Sequence, residues 1–154
     1  MKVAIYSRAE LTKLLQQKIP EETAIICFCD SLDGTENLPI PAGHDETMVF
    51  RIVLDDIDIE ELAESGLSED TFFPEAEELA QFIYRAHDKK LNLICQCEYG
   101  QSRSAACGAA ILEHFCKDGI SIFRDYRYTP NKLIFNKVYE ALRKVAGVDK
   151  GTYE

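Results

Sequence analysis

Residues 93–112 read LICQCEYGQSRSAACGAAIL. An apolar run ends at Cys97, Gly100 follows three residues on, Arg103 three further, and a run of small residues begins directly after. A strand that ends where a helix begins leaves a turn whose backbone N–H groups gather at the positive end of the helix dipole, and such a concavity binds anions. Gly100 lets the turn tighten without a Cβ in the way of a positive φ. The planar fork of Arg103 matches two oxygens of a phosphate. The same field lowers the pKa of Cys97, so that it rests as a thiolate facing the bound anion and is aligned for in-line attack on phosphorus. Ser104 is placed to donate a hydrogen bond to the sulfur and ease its later departure.

The flanking chain sets this turn in an α/β frame. KVAIY (2–6) reads as a short strand, and SRAELTKLLQQ as a helix capped by Ser7 with Leu11, Leu14 and Leu15 on one face. TAIICFC (23–29) has the length and continuous apolarity of a buried strand, and the turn-rich stretch over 30–47 reads as a loop. MVFRIVL (48–54) is a third strand, followed by an acidic, irregular segment up to Pro74. Pro74 suits the first turn of a helix that buries Leu79, Phe82, Ile83 and Ala86. LNLIC (91–95) is a fourth strand, and 104–115 is nearly all small or apolar and reads as a buried helix, which Cys107 and Cys116 fit. A short helix falls within 119–127. The last begins at Thr129-Pro130 and buries Ile134, Val138, Leu142 and Val145. Strands alternating with helices predict a largely parallel sheet of four to five strands flanked by helices, with the anion-binding turn between the last strand and a buried helix. No repeat or linker divides the 154 residues, so a single domain, 1–154, is expected.

Charge narrows the partners. The formal net charge of −10 opposes nucleic acid and anionic membranes, both of which are bound by basic patches. Between Asp55 and Glu78 there are eleven carboxylates and no Lys or Arg, whereas from Lys117 to Lys144 seven basic residues outnumber three acidic ones. The acidic block points to protein segments as substrates and against polyanionic lipids. No run approaches the roughly 18 apolar residues of a membrane helix. Six cysteines without a secretory signal indicate free thiols in a reducing, cytoplasmic setting.

CEYGQSRS (97–104) resembles the phosphate-binding loop of the cysteine-dependent protein tyrosine phosphatases, Cys-x5-Arg followed by Ser or Thr, and is most similar to the small dual-specificity branch. RYTPNKLIFNKVYEAL (127–142) is similar to a second segment of that branch, with Pro130, Asn131 and Phe135 in register. The resemblance covers roughly residues 45–145. It implies a phosphomonoester hydrolase acting on phosphorylated proteins or peptides through a phosphocysteine intermediate, with no cofactor and no metal. Cys97 is then the nucleophile and Arg103 the phosphate clamp. Glu98, Tyr99, Gly100, Gln101 and Ser102 line the phosphate, Ser104 assists the sulfur, and Asn131 holds neighbouring loops. The pattern departs at Gln96, where the family usually has His, and at Glu98, a carboxylate inside an anion-binding loop.

The family also supplies an Asp from a loop after a strand to protonate the leaving group. VLDDID offers Asp55, Asp56 and Asp58; with Leu54 as the last inward apolar residue, the pattern selects Asp56, with Asp55 next. A rhodanese or thiol-redox enzyme is a distant alternative, since sulfur-transfer loops do not usually combine the x5 spacing with an Arg-Ser pair, and two further rivals stand beside this reading. One is a phosphatase-like module that binds phosphorylated partners without turnover. The other is a four-thiolate zinc site from Cys27, Cys29, Cys95 and Cys97, on neighbouring strands. His44, His87 and His114 show no ligand spacing and read as structural or exposed. A monomer is favoured.

Overall fold

Strands that are apolar on both faces belong in the middle of a sheet, and TAIICFC and LNLICQC take that place. The computed structural model describes residues 1–17, 21–30 and 48–147. Of the loop expected over 30–47, residues 31–47, with His44, lie outside them. β2 (Thr23–Cys29) and β4 (Asn92–Cys97) are the central strands of a four-stranded sheet ordered β1-β4-β2-β3, with β1 (Val3–Ser7) and β3 (Val49–Val53) at its edges. All three pairings are parallel, and Ile25 sits opposite both Val49 and Ile94.

Side chains alternate across these strands. Ala24, Ile26, Phe28, Leu93, Cys95 and Cys97 belong to the larger core, which α3 (Ala76–Asp88), α4 (Arg103–Cys116) and α6 (Lys132–Val145) complete. Ile25, Cys27 and Ile94 face a smaller core under Leu11 and Leu15 of α1 (Arg8–Gln17). Cys27 and Cys97 therefore lie on opposite faces of the sheet, and the two Cys-x-Cys pairs cannot close around one zinc ion. Small residues let α4 ride low on the sheet: a Cβ on Gly108 would come within 3.1 Å of Ile5.

Local signals account for most element ends. Ser7 Oγ accepts from the Glu10 N–H and Glu10 Oε1 accepts from the Ser7 N–H, a reciprocal capping box that starts α1. Several boundaries differ from the sequence reading. β3 stops at Val53, one residue before Leu54, and β4 runs on to Cys97. α3 starts at Ala76, after a turn that contains Pro74. The cap of α6 is Asn131, whose side chain accepts from the Ile134 N–H, so the helix begins two residues beyond Pro130. α5 is one turn, Ile120–Phe123, and Cys116 is exposed at the end of α4.

The acidic segment is more ordered than its composition suggests. Asp58 caps α2 (Ile59–Leu62) by accepting from the Glu60 and Glu61 N–H groups, both at 3.0 Å. Phe72 and Phe73 are buried in the main core, with Phe73 edge-on to Phe28. Phe73 holds φ at 56°, a left-handed conformation that costs about 1–2 kcal/mol; burying its ring returns about 1.5–3 kcal/mol. Among the described residues no helix is long and apolar enough to cross a membrane.

Two glycines with positive φ differ in their surroundings. A Cβ on Gly66 (φ +74°) would meet nothing within 4 Å, whereas one on Gly100 (φ +67°) would lie 2.5 Å from the Ser7 backbone nitrogen. Gly66→Ala should cost about 1 kcal/mol, the left-handed penalty alone. Gly100→Ala should cost at least about 2 kcal/mol, because backbone cannot move aside as a side chain tip can. Urea midpoints measure both; equal losses would show that the loop does not press on β1 as described.

Candidate active site

The turn between β4 and α4 lies at the carboxyl ends of the parallel strands, where open α/β sheets bind ligands. It is tied down on both sides. The Arg8 N–H donates to Glu98 O at 3.1 Å, the Thr129 N–H to Gln101 O at 2.8 Å and the Asn131 N–H to Ser102 O at 3.3 Å. Ser102 occupies the cap position of α4 but forms no side-chain cap; its hydroxyl instead donates to Asp56 Oδ1 at 2.9 Å. The first N–H groups of α4 are thus left uncapped by Ser102 at the positive end of a 14-residue helix.

Arg103, 4 % exposed, extends beneath this turn. Its Nη1 donates to Asp30 Oδ1 at 2.6 Å and to the Leu54 carbonyl at 2.7 Å. Asp30 directly follows β2 and Leu54 follows β3, so one guanidinium nitrogen joins the ends of two strands to the start of α4. Arg103 Nε is buried and has no hydrogen-bond partner among the described residues. A buried donor left unpaired costs about 1–3 kcal/mol, and more when charged, so the position calls for an acceptor.

Cys97 Sγ lies 3.1 Å from Ser104 Oγ. Burial, the largest single influence, pushes the Cys97 thiol up. The Ser104 hydroxyl, the backbone N–H groups of Ser104 and Gly100, and the Arg103 charge together outweigh it, leaving the pKa below that of an ordinary cysteine. The neighbouring thiols behave in the opposite way. Burial, with Cys29 nearby, raises Cys27 to about 12. A hydrogen bond to Cys107 and complete burial hold Cys95 well above the ordinary value. Cys29 is raised chiefly by burial, against the pull of Arg8 and Arg103.

Asp56 sits in the loop after β3, exposed, with Oδ1 accepting from both the Ser102 hydroxyl and Asn131 Nδ2 (2.8 Å). Asn131 also donates to Ile57 O at 2.9 Å, and its Oδ1 is the α6 cap. One asparagine therefore clips the aspartate loop to α6 while Ser102 clips it to the turn between β4 and α4. Asp55 is half-buried, and its carbonyl accepts from the Ile57 N–H. Asp58 caps α2 through Oδ1 alone.

Cys97, Arg103, Ser104, Asp56, Asn131 and the 98–102 turn thus come together at one end of the sheet. Gln96 is buried within β4. Glu98 is half-buried and lines a cleft with Arg8 and Lys13 of α1, and Tyr99 is 76 % exposed at its rim. His114 lies away from the turn, hydrogen-bonded to Tyr84, and His87 stacks on Phe115. Sequence reasoning missed Asp30. Its partner is 73 residues away, and a lone Asp at the head of a turn-rich stretch carries no local signal of it. Among the described residues no group of three or more His, Cys, Asp or Glu is arranged to hold a metal ion.

No protein-family model matches the chain, and no curated protein matches it by sequence. Solved structures do. Human DUSP28 aligns over 96 % of this chain and 95 % of its own with a TM-score of 0.58 at 14 % identity. PTPMT1 in complex with PI(5)P aligns over 95 % and 93 % with a TM-score of 0.54 at 13 % identity. The human tyrosine phosphatase-like serine/threonine/tyrosine-interacting protein aligns over 93 % and 87 %, with a TM-score of 0.53 at 16 % identity. The chain has the fold of the cysteine-dependent protein tyrosine phosphatases in its small dual-specificity form.

Proposed function

We propose that the chain is a protein phosphatase of the tyrosine or dual-specificity type, hydrolysing phosphomonoesters of proteins or peptides through a phosphocysteine. The observation that carries this reading is the buried Arg103, anchored through Nη1, with Nε unsatisfied beside a thiol whose pKa is lowered. The phosphate sits on the α4 N–H groups with an oxygen on Nε. Cys97 Sγ attacks phosphorus as the ester P–O bond breaks, and Asp56 protonates the departing oxygen. Both hydrogen bonds to Asp56 fall on Oδ1, so Oδ2 is the oxygen for the proton. In the second step Asp56 takes a proton from water as that water attacks phosphorus, the P–S bond breaks, and the Ser104 hydroxyl stabilises the leaving thiolate. Neither step draws on a metal or cofactor.

A second reading, a phosphatase-like module that binds without turnover, is favoured by one observation. Asp30 places a carboxylate 2.6 Å from the guanidinium that would clamp the phosphate. The likeness to the tyrosine phosphatase-like interacting protein is compatible with it. Release of phosphate from p-nitrophenyl phosphate, inhibited by vanadate and unaffected by EDTA, separates the two. Cys97→Ser should abolish turnover while retaining vanadate binding, and Arg103→Lys should be severely impaired because a point charge cannot replace the planar fork. Turnover in Cys97→Ser above a few per cent of wild type would overturn the mechanism.

Asp56→Asn should cut kcat by about 10²-fold or more on substrates with poor leaving groups, and by less on an activated aryl phosphate. It should also lose the high-pH limb of the pH–rate profile. Asp55→Asn should do much less, and equal mild effects would place the acid elsewhere.

Asp30 has two opposed effects, which two substitutions separate. Asp30→Asn keeps an oxygen for Nη1 while removing the charge that competes with the ligand, and should tighten vanadate binding by about five-fold, or roughly 1 kcal/mol. Asp30→Ala loses the anchor as well and should lower kcat. Weaker vanadate binding in Asp30→Asn would show that the charge itself holds the arginine in place.

A further inference from the structure

The phosphate-binding turn opens on one side into a surface groove of about 540 Å³. Asp56, Ser102 and Asn131, at the candidate site, form its inner end, and beyond them it is lined by Asp58, Glu61 and Glu69, with Lys132 opposite. Four carboxylates thus face one ammonium. The groove is also built into the fold: the Thr129 and Asn131 N–H groups fasten its α6 wall to Gln101 and Ser102 of the turn. Arg103, 4 % exposed with Nε unsatisfied among the described residues, does not line the groove but belongs to the adjoining turn, so the anion that anchors a ligand sits beside the groove. On the other flank of the turn, a separate cleft carries Arg8 and Lys13 beside Glu98. The surroundings of the phosphate site are therefore bipolar, acidic toward α2 and α6 and more basic toward α1.

We propose that this groove selects phosphopeptides carrying Arg or Lys on one flank of the phosphorylated residue, the phosphate seated in the 97–103 turn and the basic side chain among Asp58, Glu61 and Glu69. The inference rests on the phosphatase reading and names the substrate class for it. A ligand with one anionic centre and a neighbouring cation matches the surface at both places. A polyphosphorylated headgroup matches only the turn and is repelled by the groove, since unscreened like charges within about 10 Å act against one another at ordinary ionic strength. The groove carboxylates are exposed, so each pairing contributes little alone and the preference is modest, salt-dependent and confined to one flank.

The test compares p-nitrophenyl phosphate with matched phosphotyrosine and phosphothreonine peptides bearing two Arg, two Ala or two Glu on either flank, and with a soluble inositol polyphosphate. Arg on one flank should raise kcat/KM about five-fold over Ala, and Glu there should lower it. The gain should disappear when Arg moves to the other flank, and shrink toward unity in high salt. In Glu61→Gln/Glu69→Gln, which alters two exposed side chains, the Arg-to-Ala ratio should fall by at least half. Hydrolysis of p-nitrophenyl phosphate without an Arg preference, or with a preference that this variant retains, overturns the groove proposal and leaves the phosphatase reading standing. Faster turnover of the inositol polyphosphate than of any Arg peptide overturns it in favour of a polyanionic substrate. If nothing is turned over, the phosphatase reading fails. Fluorescence-anisotropy affinities of the same peptides then decide the groove, a one-flank Arg preference supporting it and none overturning it.

Discussion

A guanidinium that is 4 % exposed governs this site. Removing an ion from water costs several kcal/mol, and only good geometry recovers that cost. Arg103 recovers part of it through Asp30 and the Leu54 carbonyl, the segments that leave β2 and β3. Those two bonds fix the strand ends against the start of α4, and with them the depth at which the 98–102 turn sits. They leave Nε unsatisfied. Among the described residues no acceptor reaches Nε, and a charged donor held ready in this way meets the condition for binding an oxyanion without reorganising the protein.

The cysteines illustrate how position sets reactivity. Cys95 and Cys97 lie on one strand and on the same face, both buried. Cys95 meets another thiol and apolar core, which hold it protonated; two residues later the strand ends, and Cys97 meets N–H groups, a hydroxyl and a guanidinium instead. Cys27, opposite Gln96 in the neighbouring strand, is pushed up to about 12 on the other face of the sheet. The difference arises from which buried sulfur stands at a helix N-terminus.

Features carried by short-range pattern were legible in the sequence. The apolar runs of β2 and β4, the 3.6-residue stripes of α3 and α6, and the thiol-glycine-arginine turn each fall within one window. What was not legible depends on distance or on competition between local rules. Asp30 acquires its role only because the sheet order brings the ends of β2 and β3 beside α4. Phe72 and Phe73 stand among carboxylates, and their burial is set by Phe28 across the core rather than by periodicity. At 129–131, Thr-Pro-Asn offers two capping schemes, and Asn131 prevails because its side chain can cap α6 and hold Asp56 and Ile57 at once. The stop of β3 at Val53 releases Asp56 from the strand, so its direction is set by Ser102 and Asn131 rather than by strand alternation.

In the proposed mechanism the α4 N-terminus, Ser104 and Arg103 overcome burial and favour the Cys97 thiolate relative to an ordinary cysteine. The direct measurement is thiolate ultraviolet absorbance as a function of pH, taken as the difference between the wild-type protein and Cys97→Ser. The account predicts a single titration with its midpoint below that of an ordinary cysteine, moving upward in Ser104→Ala. A midpoint at or above the ordinary cysteine value, unmoved by that substitution, would contradict it.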